Sequence, residues 1–349
     1  VWSGPISSGV LILATLALIA ALYVGKEVVL PIALAVVLKL LLQPMLNFLC
    51  TKLHLPAALG ALILICGLFV GVGAVAVTVS GPASGWIEKV PQVLPTLKQK
   101  LVALRQPIEY MQNAFKEIED VAAPAHKGEK APIAVKEQSV LASNLAFATL
   151  AVMGRLASTM IVLFFLLAAG DRLLRGLIEV LPTFSDKRQA AEIASEIQRQ
   201  IGGYLITISV MNLVVGAAAG FAMWACGLGD PILWGSFAFL LNYVPILGPL
   251  TGIGVFLIVG IVTLDGPFQA LLPATCYTMI HITEGEIITP MLLAKRFTIN
   301  PVFVIISLFF WHAMWGIPGA LLAVPLLATF KIICDRVEPL KPVGHIMGA

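Results

Sequence analysis

Apolar runs of membrane-spanning length, parted by short polar steps, make up most of the chain, and their spacing predicts an all-α polytopic membrane protein. Residues 8–24 and 28–49 read as two helices joined by the polar turn Gly25-Lys26-Glu27, and 57–79 as a third span. Gly67 and Gly71 in that span form a GxxxG, a spacing that permits close helix approach. Residues 81–145 are the one sizeable polar region. Within it Val90, Leu94, Leu97, Leu101, Leu104, Ile108, Met111, Phe115 and Ile118 alternate in steps of four and three, a heptad seam. The seam predicts an extracytoplasmic helical arm, packed on its own membrane domain or on the same arm of a neighbouring subunit. Pro91, Pro95 and Pro107 are expected to start or kink that helix, and 122–131 (AAPAHKGEKA) to form a loop.

A long helix is expected over 139–170, with only 156–170 crossing hydrocarbon because Arg155 lies near its middle. The polar stretch 171–200 carries Arg172, Arg175, Lys187, Arg188 and Arg199, which marks it as cytoplasmic, and Ser185-Asp186 is expected to start a short amphipathic helix there. The next span is 203–227. Residues 230–266 are too long for one helix and are broken by Pro245, Gly248, Pro249 and Gly252; 267–290 is again a clean span. Residues 301–333 repeat the broken pattern around Gly316, Pro318 and Gly319 and lead to a basic tail (Lys331, Arg336, Lys341) expected in the cytoplasm.

These pieces make two span-plus-hairpin units of opposite orientation, the arrangement of secondary transporters with broken helices. Charge fits re-entrant hairpins and pairs of full spans equally, so seven to eight membrane segments are expected. The domains are then a three-span scaffold (1–80), the arm (81–145), a fourth span with a cytoplasmic helix (146–200), a transport core (201–335) and a cytoplasmic tail (336–349).

Composition sharpens this. The chain is 59% hydrophobic and only 12% charged, against about 25% for soluble domains. The net charge of +3 is unclustered, which speaks against a nucleic-acid surface. The five cysteines (Cys50, Cys66, Cys226, Cys276, Cys334) are scattered and read as buried thiols, so neither metal nor cofactor is expected. The first apolar run lacks a small-residue cleavage site, so no cleavable signal peptide is expected, and the opening at Val1 suggests a trimmed N-terminus. Lys39 is read as snorkelling to the interface.

An ionisable group inside a membrane segment costs about 2.5–3.5 kcal/mol on insertion scales and defaults to a functional reading. Glu284 and Glu286 are such groups. Two residues apart on a helix, they point roughly 200° from each other, whereas His281 and Glu284 share a face. His281–Glu284 is therefore the candidate for proton handling, with Glu284 alternatively capping broken backbone and Glu286 pairing with Lys295 and Arg296 near the interface. Asn242, Tyr243, Pro245, Gly248, Pro249, Gly316, Pro318, Gly319 and His312 are the candidate solute path, with turn chemistry and packing as the bland alternative.

LNYVPILGP (241–249), Glu284 six residues before Pro290, Asn300-Pro301 and WGIPGALLAVPLLA (315–328) resemble the autoinducer-2 exporter family of bacterial membrane proteins. The resemblance implies an inner-membrane oligomer, a pentamer in relatives, that exports small solutes; some members look like sodium/proton antiporters. Glu286 stands where relatives usually have Asn, and the extra acid beside Glu284 makes cation or proton coupling more plausible in this chain; Asn300 stands where His is common. The expected function is a secondary transporter of a small polar solute or monovalent cation, not an enzyme, with a sodium(lithium)/proton antiporter, a passive channel or a scaffold as alternatives. No Walker A, HExxH or GxSxG sequence occurs.

Overall fold

The computed structural model describes residues 5–116, 138–288 and 299–348, with the backbone alone for 5–8, 11, 88–94, 96–116, 138–153 and 287. Among them run eleven α-helices: α1 (Pro5–Val24), α2 (Lys26–Lys52), α3 (Ala57–Lys116), α4 (Gln138–Glu179), α5 (Phe184–Ala225), α6 (Pro231–Leu241), α7 (Leu247–Thr263), α8 (Pro267–Thr283), α9 (Pro301–Trp315), α10 (Ile317–Arg336) and α11 (Lys341–Met347). Four of them (α2, Ala57–Ile87 of α3, α5 and α10) are long and apolar enough to cross a membrane. Chain and fold are those of a polytopic helical membrane protein.

Several expected boundaries are absent. The third span and the first part of the arm, to Lys116, are one helix of 60 residues, about 90 Å long, with Pro82, Pro91, Pro95 and Pro107 inside it. Each proline removes one hydrogen bond and kinks a helix more readily than it ends one. The seam residues from Val90 to Phe115 have helical backbone, but their side chains, like Ile118 and the loop 122–131, lie outside the described residues. The amphipathic helix and the span after it are likewise one helix, α5, of 42 residues. Its cap is Thr183, whose hydroxyl accepts from the Asp186 N–H at 3.1 Å, rather than Ser185. The turn at Gly25-Lys26-Glu27 shrinks to Gly25 alone. Its N–H still bonds Ala21 O at 2.8 Å and its carbonyl still accepts from Val29, so α1 leaves α2 through a bend. The tail is folded: α11 returns beside the start of α9, where Ile299 and Gly348 form an isolated β bridge.

Glycine sets the closest helix contacts. Gly67 and Gly71 face open space among the described residues, and no helix uses their GxxxG. Gly216 and Gly220 of α5 carry the same spacing, and there the backbone of α6 comes so close that a Cβ would meet Gly235 O and Pro231 O. On the other side of the hairpin, α8 packs antiparallel on α7: Tyr277 covers Gly252, and Ala270 O covers Gly260. The first hairpin (α6–α7) is thus held between α5 and α8. The second (α9–α10) packs on α2 and α5, around Leu30, Met314, Trp315 and Leu322 at one end and Ile201, Leu205, Ala328 and Ile332 at the other.

α2 and α4 run parallel. Arg155 donates to both Glu27 oxygens at 2.7 and 2.9 Å, and farther along Gly170 lies under the Lys39 ammonium beside the polar step at Asp171. At the opposite end Arg199 donates to both oxygens of Glu196 at 2.8 Å, Gln200 donates to the same carboxylate, and Arg336 stands 3.4 Å away. Gln189 donates to Arg336 O at 2.6 Å, so the end of α10 is clasped to the start of α5.

Two expectations follow. Gly220→Val should lower unfolding stability in detergent by about 1–3 kcal/mol, the usual cost of overpacking, while Gly71→Val leaves it unchanged. The Arg199 hydrogen bonds, then that from Gln200, hold Glu196 below the ordinary value of 4.5. A carboxylate depressed on folding contributes stability that is complete above the unfolded value and is lost as pH falls through the folded one. The melting difference between wild type and Glu196→Gln should therefore be largest near neutrality and vanish in acid.

Candidate transport site

Both broken segments are real breaks, but they are built differently. In the first, α6 ends at Leu241 and α7 starts at Leu247. Ile246 at the break has φ 65°, a conformation L-residues adopt only under constraint. Gly248 and Pro249 belong to the first turn of α7, and at Gly248 the two arms come so close that a Cβ would overlap Leu241 O. In the second, the break is Gly316 alone, at φ 69°, with Pro318 and Gly319 already in the first turn of α10. Trp315 Nε1 donates to Leu22 O at 3.1 Å, which fixes this tip beside the α1–α2 bend, where His312 also sits. The candidate path residues therefore divide between two places.

The first tip carries the buried polarity. Asn242 Nδ2 donates to Asn212 Oδ1 at 2.9 Å, and Asn212 has no exposed surface. Tyr243 donates its hydroxyl proton to Ser209 Oγ at 2.8 Å. Pro245 lies in the break, and Val244 and Leu247 pack on Leu308, Ala320 and Ala323 of the second hairpin. Asn212 Nδ2 has no hydrogen-bond partner, an expensive state for a buried donor.

Level with this tip stands the titratable pair. Tyr277 covers Gly252, one turn from Gly248; the next turn of α8 brings His281, edge-on to the Tyr277 ring at 4.5 Å. His281 Nδ1 is 3.9 Å from Glu284 Oε2, with side chains 9% and 19% exposed. That separation is too long for a hydrogen bond and within ion-pair range whenever the imidazole is protonated. Glu284 opens a π-type turn, Glu284–Ile288, a widened turn that often marks functional positions in helices. Glu286 is exposed on that turn; Pro290, Lys295 and Arg296 lie outside the described residues. Tyr277 OH and His281 Nε2 are buried without hydrogen-bond partners. Dry apolar packing would leave these groups unsatisfied, whereas a polar solute or water between α7 and α8 would satisfy them.

Asn212, Ser209 and Tyr277 were not among the sequence candidates. The signal was available: Ser209 and Asn212 interrupt an apolar span, and Tyr277 precedes His281 by one turn. Cys226 and Cys276, fifty residues apart, bring their Sγ atoms to 4.0 Å, a pairing no spacing rule reveals. Among the described residues no three His, Cys, Asp or Glu side chains gather as a metal site.

A helical membrane bundle with glycine-packed, Gly/Pro-broken hairpins is an architecture found in membrane transporters. The profile of the AI-2E family of transporters matches residues 12–338, and the chain belongs to that family. It is 29% identical to the AI-2 transport protein TqsA of Escherichia coli over 143 residues, 40% of this chain and 41% of that protein. It is 28% identical to a provisionally named transport protein of Borreliella burgdorferi over 153 residues, 44% of this chain and 42% of the relative. The chain thus spans about two fifths of the length of these relatives. A provisionally named transport protein of Mycobacterium tuberculosis is 23% identical over 328 residues, 92% of this chain and 86% of its own.

The Asn242–Asn212 bond gives a direct expectation. Asn242→Ala strands Asn212 Oδ1 in the bundle and should cost about 1–3 kcal/mol of unfolding free energy in detergent. Tyr243→Phe, which leaves Ser209 free to rotate to another acceptor, should cost about 0.5–1.5 kcal/mol.

Proposed function

We propose that this chain is a secondary transporter of the bacterial inner membrane that moves a small polar solute in exchange for protons. The observation that carries the reading is the His281–Glu284 pair, seated in apolar surroundings level with the broken first hairpin. A carboxylate and an imidazole in contact can hold one or two protons, and the neighbouring unpartnered hydroxyl and amide donors suit a solute rich in oxygen atoms. Family membership and the named relatives support transport; autoinducer-2 is the solute named for the E. coli relative.

The two hairpins act unequally in this reading. The 11 residues of α6 rise about 16 Å, half of a roughly 30 Å hydrocarbon core, so the first hairpin is re-entrant. The 20 residues of α10 rise about 30 Å and its partner reaches the α1–α2 bend, so the second hairpin crosses fully. The clasp of α10 on α5 at Arg336 supports a C-terminal end on the same side as the basic stretch 171–200, which the positive-inside rule reads as cytoplasmic. The α3 extension, with its heptad seam, serves as the contact between copies in a homo-oligomer.

Proteoliposomes with a trapped pH dye test the coupling. Addition of autoinducer-2 outside should move protons in wild type, and Glu284→Gln should cut the rate about a hundredfold. Proton movement driven by sodium alone identifies a cation/proton antiporter instead. A folded Glu284→Gln protein of full activity removes the pair from the mechanism.

A further inference from the structure

Away from the His281–Glu284 pair, a cavity of about 310 Å³ opens between the α1–α2 bend, α4 and the tip of the second hairpin. Four elements meet there, and the charges they bring are mostly positive. Lys26, Arg155 and Glu27 line it, with His312 beside them. Two fixed cations thus face one carboxylate. Glu27 is taken up by Arg155, at 2.7 and 2.9 Å, whereas Lys26 has no carboxylate partner among the described residues and lies 5.5 Å over the Tyr23 ring.

We propose that this cavity is a binding site for a small anion of the carboxylate or phosphate class. Lys26 supplies an uncompensated ammonium, and the Arg155 guanidinium, planar and already oriented by Glu27, can take two oxygens of one ligand. His312 adds a third donor. At Gly316 the last turn of α9 meets the first turn of α10, so the two helix-end partial charges oppose each other and the side chains set the sign of the cavity. Leu30, Ala313 and Met314 supply the apolar part of the lining, which suits an anion with a short carbon body. Glu27 opposes such a ligand for Arg155, so occupancy loosens the link between α2 and α4 at this end of the bundle.

The site does not rest on the transport reading, because binding is measured without flux. Detergent-solubilised full chain is titrated with inorganic phosphate and, separately, with succinate at constant ionic strength, chloride serving as the control. Wild type should bind both. Lys26→Gln should bind about tenfold more weakly, as expected for loss of one charged hydrogen bond. Glu27→Gln should bind more tightly, because it removes the competing carboxylate and releases Arg155. Repeating the phosphate titration in lipid nanodiscs separates the sources of the anion. Binding lost in phosphatidylglycerol discs but kept in phosphatidylcholine discs assigns the site to an anionic headgroup, and binding kept in both assigns it to a free solute. No binding by wild type, equal binding by wild type and Lys26→Gln, or weaker binding by a Glu27→Gln protein of unchanged melting temperature overturns the proposal.

Discussion

A break in a helix inside hydrocarbon strands backbone N–H and C=O groups that lipid cannot satisfy, so it survives only where protein covers it. The first hairpin meets this constraint through glycine. Gly216 and Gly220 let α6 lie directly on α5, Gly248 brings the two arms of the hairpin together, and Gly252 and Gly260 admit α8. Larger side chains at these positions would push the break toward lipid. Close packing also gives side chains the reach to finish the job: Asn242 and Tyr243, at the end of α6, find Asn212 and Ser209 across the α5 contact. The small residues and the polar pairs are therefore one device. The glycines set the distance, and the amide and hydroxyl pairs use it.

Charge obeys the same economy. Glu27–Arg155 and the Glu196 cluster lie at opposite ends of the bundle, each joining helices that are remote in sequence. Exposed pairs of this kind contribute little to stability, generally under about 1 kcal/mol, so their value is positional: they align α2 with α4 and α10 with α5. His281 and Glu284 are different. They sit one turn apart where α8 runs into its π-type turn, with side chains only 9% and 19% exposed. Ionisable groups in so costly a place are what make this turn the candidate for the proton exchange proposed above.

Hydropathy made the helical class and both broken segments legible, because lipid exposure writes long apolar runs and backbone breaks need Gly and Pro. The facing of His281 and Glu284 followed from helical spacing alone. Helix ends were less legible. Hydropathy reports the solvent around a residue rather than its dihedral angles, so α3 and α5 pass from apolar to polar sequence without a break, and Gly25 bends a helix where a polar turn was expected. The GxxxG at Gly67 and Gly71 matched the rule as well as Gly216 and Gly220 did; only the fold tells which pair has a neighbour. The approach of Cys226 to Cys276, and of His312 to Arg155, likewise depends on tertiary packing that no local pattern encodes.

The two hairpins, alike in sequence logic, are unlike in attachment, and this asymmetry bears on motion. The second is fixed at both ends, by the Trp315 indole on Leu22 O and by the Arg336 clasp on α5. The first is held along its sides, with Asn242 and Tyr243 bonded to α5, and its tip meets the second through Val244 and Leu247, packed on Leu308, Ala320 and Ala323. Those contacts are aliphatic and carry no directional bonds, so they permit sliding at small cost, whereas the hydrogen-bonded anchors of the second hairpin resist it. The contact between the two hairpins is therefore the weaker joint, and beside it Ile246 is held in an unfavourable conformation and Asn212 keeps an unpartnered donor. The strained backbone, the unsatisfied amide and the aliphatic contact between the hairpins converge on one place, and the His281–Glu284 pair stands level with it.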